Sequence, residues 1–175
     1  MTTQLALPSV LAVPLETVRL RLVPLTIADA QDLEPILADE SIHTFIGTRP
    51  MDYTSLREQF AAWEKRYSPD GTEIWLNWTV RLLEGDQVIG HVQATVRDGH
   101  AALGYIMGTE WQGQGYASEA CREMLRVIRL GLAITNVTAE VHPEHVASHH
   151  VAAALGLQNT GITTEEGEQV WSDTQ

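Results

Sequence analysis

The run Trp111-Gln112-Gly113-Gln114-Gly115-Tyr116-Ala117-Ser118-Glu119-Ala120 holds the residues best arranged for chemistry. Its two glycines let the chain turn tightly and bring backbone close to a ligand. A strand-like run, Ala101 to Met107, precedes the loop, and a helical pattern begins at Tyr116. Strand, glycine loop and helix start together aim several backbone N–H groups at one point. That point attracts a phosphate, because a helix start carries partial positive charge and unpaired donors. The loop is not the dinucleotide fingerprint: serine stands at 118 and no strand–helix–strand unit opens the chain. It is not a nucleoside-triphosphate loop either, since no Gly-Lys-Ser/Thr follows.

The elements that must position this loop are legible around it. Thr17 to Val23 alternates polar and apolar, as a half-buried strand does. Thr26 or Asp29 starts a helix with Leu33, Ile36 and Leu37 on one face. A second helix is expected over Thr54 to Tyr67, burying Leu56, Phe60, Ala61 and Trp63, before a turn at Ser68-Pro69-Asp70-Gly71. Strands over Ile74–Leu83 and Gln87–Val96 flank a hairpin signal, Glu84-Gly85-Asp86. After the loop, Ala117, Ala120, Cys121, Met124, Leu125 and Ile128 form an apolar helical stripe, closed by Gly131. A strand over Asn136–Val141 leads to a helix over 145–155, with Val151, Ala154 and Leu155 inward and Gly156 at its end. Strands over Gln158–Thr164 and Gln169–Ser172 close the chain. The order is mixed α/β, with an antiparallel meander first and a β-α-β crossover later.

Composition narrows the function. The 175 residues suit one domain over 1–175, with 1–15 as a lead-in segment. A formal net charge of −12 argues against nucleic acid and favours cationic partners. No window is apolar enough for a membrane span. The single cysteine, Cys121, excludes an intramolecular disulfide and suits a reducing cytoplasm. His142, His145, His149 and His150 cluster, yet their spacing matches no ligand motif and no metal is expected.

Gln112-x-x-Gly115-x-Ala117 resembles the coenzyme-A motif of the GNAT acetyltransferases, Gln/Arg-x-x-Gly-x-Gly/Ala. Val141-His142-Pro143-Glu144-His145-Val146-Ala147-Ser148, followed by Leu155-Gly156-Leu157, is similar to that superfamily's Val-x-Pro-x-Asn-x-x-Ser…Leu-Gly-Phe segment. Val18-Arg19-Leu20-Arg21-Leu22 resembles the opening strand of the RimJ/RimL branch. The resemblance spans residues 16–172. It implies an α/β (mixed α+β) fold: a twisted, mostly antiparallel sheet of about seven strands, splayed between the fourth and fifth, with about four helices. It also implies an acetyl-CoA site in that splay. Backbone from Gln112, Gly113, Gln114, Gly115, Tyr116, Ala117 and Ser118 would hold the pyrophosphate. Backbone of Tyr105, Ile106 and Met107 would pair with the pantetheine arm, and the Ile106 N–H would polarise the thioester carbonyl. His145 replaces the usual asparagine at a pantetheine contact.

The implied reaction is attack of a neutral primary amine on the thioester in a ternary complex. Deprotonating an α-amino group at pH 7 costs about 1 kcal/mol, and a lysine-like amine about 4–5 kcal/mol, so a base matters more for the second. Glu140 is one base candidate. His91, which shares a strand face with Gln93 and Thr95, is another. Many relatives protonate the thiolate with a tyrosine on the later helix, but Ala152 stands there. Ser148, which matches a serine of RimL-like members, is the expected donor. Acceptor specificity is expected from residues 38–80, with Phe45, Arg49, Tyr53, Trp75 and Trp78 lining a pocket for a protein N-terminus or a small cationic amine. A homodimer is compatible with this reading. So is a different class of protein, a CoA-binding sensor without turnover.

Overall fold

The computed structural model describes residues 7–174; the first part of the lead-in lies outside the described residues. Eight strands form one sheet in the order β1-β2-β3-β4-β5-β6-β8-β7. They are β1 (Leu15–Glu16), β2 (Leu20–Pro24), β3 (Ile74–Leu82), β4 (Val88–Arg97), β5 (His100–Met107), β6 (Asn136–Val141), β7 (Gln158–Thr163) and β8 (Gln169–Ser172). Four α-helices flank it: α1 (Ala30–Leu37), α2 (Tyr53–Trp63), α3 (Tyr116–Gly131) and α4 (Val146–Ala154). All neighbouring strands run antiparallel except β5 and β6, which are parallel and joined by a crossover through α3. The mixed α/β class and the splay match the expectation, with one strand more than anticipated.

The extra strand, β1, pairs with β2 through a hairpin whose turn takes up the first residues of Thr17–Val23. The Thr17 N–H donates to the Leu20 carbonyl at 2.9 Å, and the Thr17 hydroxyl accepts from the Leu20 N–H at 3.0 Å. The chain therefore turns at Val18, which is 92% exposed. Strand alternation resumes at Leu20, with Leu20, Leu22 and Pro24 inward. The next start signal works as read. The Asp29 carboxylate accepts from both the Thr26 N–H (2.8 Å) and the Thr26 hydroxyl (3.0 Å), a capping box that leads into α1.

The sheet is covered on both faces, yet β3 and β4 alternate apolar with polar residues. On one face α3 lays Ala120, Cys121, Met124, Leu125 and Ile128 over Leu76, Trp78, Val80, Val92 and Ala94. On the other, α1 and α2 bury Leu33, Leu37, Leu56 and Phe60 in a separate cluster. Between those helices and the sheet lie the alternate residues of β3 and β4: Asn77 and Thr79 opposite Gln93 and His91. This polar strip under an apolar pair of helices is the first sign of a site.

The ends of α2 and α3 and the inward face of α4 differ from the sequence reading: α2 stops at Trp63, short of the expected Tyr67. Gly131 is still helical; its bare Cα lets Val10 and Leu11 pack against it, where a Cβ would lie 3.2 Å from each. Helix α4 turns Ser148 and Ala152 inward and leaves Ala154 exposed. Val146, Val151 and four alanines are spread around this short helix, so periodicity fixes no unique face. Gly156 ends it as expected, at φ +84°.

Candidate active site

Strands β5 and β6 pair only from His100↔Asn136 to Leu103↔Ala139 and then part. Beyond Leu103 a gap opens between Gly104–Met107 and Glu140–Val141. Parity decides which backbone groups face it, since the N–H and C=O of one strand residue point to the same side. The Gly108 N–H donates to Ile89 on the β4 side, and the Gly99 carbonyl accepts from Thr135 on the β6 side. A Cβ built on Gly90 of β4 would collide with the Ile106 carbonyl oxygen. Even-numbered residues of β5 thus face β4, and the polar backbone groups of Tyr105 and Met107 face the gap. The Ile106 N–H, expected to meet the thioester, points into the sheet.

At the mouth of the gap a single turn at Thr109–Trp111 leads into the glycine loop. Gly113 and Gly115 adopt φ +73° and +81°, a region that costs an L-residue about 1–2 kcal/mol. Gly115 is the N-cap of α3, and no side chain caps that end, so the first-turn N–H groups remain for a ligand. Gln112 holds the loop to β5 by donating to the Met107 carbonyl at 3.0 Å. The loop borders a cavity of about 600 Å³ that runs along the gap to α4. Gln112, Gly113, Gly115, Tyr116, Ala117 and Ser118 line it on the loop side, and Val146, Ala147, His150 and Val151 on the other. Gln114 turns away and donates to the Glu110 carbonyl. An open cradle of backbone donors, with positive-φ glycines beneath, fits a pyrophosphate.

Arg19 ties the opening motif to this cradle across the sequence. Its guanidinium donates to the Gln114 carbonyl (Nη1, 3.1 Å) and pairs with Glu119 in the first turn of α3 (Nη2, 2.7 Å). It also lies 4.3 Å from the centre of the Tyr116 ring. The Glu119 carboxylate accepts in addition from the Thr17 hydroxyl (2.6 Å) and the Arg19 N–H (3.0 Å). The β1–β2 turn is thereby locked onto the loop, with the Arg19 charge balanced by Glu119.

A second cavity of about 360 Å³ lies on the α1/α2 side of the sheet. Phe45, Arg49, His91 and Glu140 line it, as does Gln93, which packs over Gly104. Trp63, expected only as a buried residue of α2, also lines it, as do Gln59, His43 and Glu168, which no motif marks. Tyr53, Trp75 and Trp78 do not. Tyr53 is 42% exposed at the start of α2, the Trp75 indole donates to Glu73, and Trp78 is fully buried in the core on the opposite face. The two cavities share Phe45, Ile46, Tyr105, Ile106, His145 and Ser148. A group held at that junction reaches both.

The side chains at the junction and in the second cavity have distinct states. The Tyr105 hydroxyl lies 2.7 Å from Ser148 Oγ and 3.1 Å from the Ser148 carbonyl. Burial pushes the Tyr105 phenol up to about 12. Phe45 stacks on His145 at 4.9 Å, bridging the segment before α2 to the start of α4. Burial, then His149 and His142, hold the His145 imidazole below its ordinary value. Glu140 and Glu168 both line the cavity wall and form no ion pair among the described residues. Burial first, and Glu140 second, raise the Glu168 carboxyl above the usual range. Cys121 is buried in the core, and burial pushes its thiol up, so it is no nucleophile.

His91 is 4% exposed, its Nδ1 has no partner, and burial pushes the imidazole down to about 4. It is neutral at pH 7. Between about 6.5 and 4 the unfolded chain binds this proton and the folded chain does not. Stability from this group is therefore lost as pH falls through that window, by roughly 3 kcal/mol. His91→Gln is expected to remove that part of the slope when urea midpoints are compared from pH 7 to 4. An unchanged slope would contradict the assignment.

Residues 19–158 match the family model described as "Acetyltransferase (GNAT) domain". The uncharacterized N-acetyltransferase p20 of Bacillus licheniformis is 26% identical over 151 residues, covering 85% of this chain and 84% of that protein. Among solved structures, the ribosomal-protein-S5-alanine acetyltransferase of Vibrio fischeri superposes with TM-score 0.76 at 16% identity, covering 91% and 95% of the two chains. RimL, a ribosomal L7/L12 alpha-N-protein acetyltransferase in complex with coenzyme A, superposes with TM-score 0.76 at 13% identity, covering 91% and 97%. These structures show that the fold is shared.

Proposed function

The chain belongs to the GNAT acetyltransferase family, and on that premise we propose that it moves the acetyl group of acetyl-CoA to a primary amine by direct transfer, in the manner of the RimJ/RimL branch. One observation carries this reading: the phosphate cradle and the second cavity open onto a common junction at Tyr105, Ile106 and Ser148. Acetyl-CoA, when bound, supplies an acetyl group activated as a thioester. The first turn of α3 and the loop from Gln112 to Ser118 hold its pyrophosphate. The gap-facing backbone of Tyr105 and Met107 pairs with the pantetheine arm, and their N–H groups take the oxyanion role first given to Ile106. Ser148 faces the sulfur.

The acceptor enters the second cavity. Glu140 and Glu168, without cationic partners, attract a protonated amine, while Phe45 and Trp63 pack its apolar part. Glu140 takes the proton that the amine must lose, directly or through water, and the neutral His91 relays it within a water chain. A reducing cytoplasmic setting belongs to the same proposal.

A mass-spectrometric acceptor screen tests it, with acetyl-CoA as donor. The panel holds peptides with free N-termini, polyamines and aminoglycosides. At least one primary amine is expected to gain an acetyl group, and Glu140→Gln to slow that reaction. Tight CoA binding with no acetylated product would favour a CoA-binding sensor instead.

A further inference from the structure

We infer that Tyr105 is a positioning residue for the leaving group: its hydroxyl holds Ser148 so that the Ser148 hydroxyl donates to the departing sulfur. This rests on the acetyl-CoA reading above and adds to it a residue from a strand, not from the helix.

The geometry supplies the argument. Tyr105 on β5 and Ser148 on α4 stand on opposite sides of the gap, and both line both cavities. Ser148 is buried at 7% exposure. Its hydroxyl would otherwise bond to a carbonyl one turn back in the helix, the usual resting place of a helical serine. The Tyr105 phenol competes for it at 2.7 Å. A phenol has one proton and can give it to Ser148 Oγ or to the Ser148 carbonyl at 3.1 Å. While the phenol donates to the carbonyl, the serine proton rests on the phenol oxygen. A thiolate at the junction is the stronger acceptor, so it draws the serine proton and the phenol turns its own proton to Oγ. Ala152, one turn further along α4, is fully buried and brings no hydroxyl, so the phenol from β5 is the group that reaches Ser148.

The chemistry limits what the pair does. Burial keeps the Tyr105 phenol near 12, far above a thiol's ordinary value of about 8.5. Full transfer of its proton to a thiolate is uphill, so the pair works as a fixed hydrogen-bond donor. As the C–N bond forms, the C–S bond breaks and its electron pair goes to sulfur. The thiolate leaves hydrogen-bonded to Ser148 Oγ. The proton that completes the thiol is the one released by the amine nitrogen, carried through solvent.

The test is read on bound coenzyme A and needs no acceptor. The thiol of CoA is titrated in the complex by thiolate ultraviolet absorbance, and acetyl-CoA affinity is measured by calorimetry. In the wild type the bound thiol is expected to titrate about one unit below free CoA, a tenfold preference for thiolate. Tyr105→Phe and Ser148→Ala should each abolish that shift, and the double variant should lose no more than either single one. Acetyl-CoA affinity, measured for all three, sets the concentration at which each titration is read on fully bound protein. A Tyr105→Phe titration that matches the wild type, or losses that add in the double variant, overturns the inference and leaves the acetyl-CoA reading standing. Failure of the wild type to bind CoA overturns both.

Discussion

Gly115→Glu is expected to abolish acetyl-CoA binding, with at least about a hundredfold loss in calorimetric affinity, or roughly 3 kcal/mol. Three effects act together. Position 115 sits at φ +81° as the N-cap of α3, where any side chain is strained. The new carboxylate lies at the helix end that should receive phosphates, and like charges there repel. A Cβ at 115 would lie 3.6 Å from the Arg19 guanidinium, so the glutamate would also draw Arg19 from Glu119 and the Gln114 carbonyl. Gly115→Ala separates these effects. It adds backbone strain of about 1–2 kcal/mol to the free and bound chain alike, so affinity should fall far less than stability. Glutamate binding acetyl-CoA as well as alanine does would remove the loop from the donor site.

Ser148→Ala is expected to lower turnover about 10²–10³-fold, the range for losing one fixed donor aimed at charge that develops in the transition state. Acetyl-CoA affinity should change by no more than about twofold, because the ground-state thioester sulfur carries little charge. The substitution is mild structurally. Ser148 keeps its N–H bond to the His145 carbonyl at 3.0 Å, and alanine is a good helix former. A proportional loss in affinity and turnover would make Ser148 a binding residue only. Unchanged turnover would remove it from the reaction.

How much of this was legible in the sequence depended on whether the deciding contact was local. The glycine loop, the Thr26–Asp29 box and the Gly156 helix end depend on residues a few positions apart, and each stands where its local pattern put it. The hairpin at Thr17 was hidden because Val18 continues the apolar alternation while pointing into solvent. The direction of the Ile106 N–H depends on pairing parity with β4, which no run of β5 residues reveals by itself. Trp75 and Trp78 looked equally suited to a pocket; alternation on a sheet covered on both faces sends Trp78 into the core. Glu168 sits in a polar turn where an acid is unremarkable, and only the β6–β8 pairing brings it near Glu140. The Arg19–Glu119 link joins two motifs that were both visible, yet separated by a hundred positions.

Two ligands are held to meet at Tyr105 and Ser148, one in the cradle and one in the second cavity. The most direct measurement is the stoichiometry of thiol release from acetyl-CoA, with and without the best amine of the acceptor screen. The expected result is one free thiol for each N-acetylated amine, and only background release when the amine is left out. Thiol release that is independent of the amine, or none at all from an enzyme that binds acetyl-CoA tightly, would contradict it.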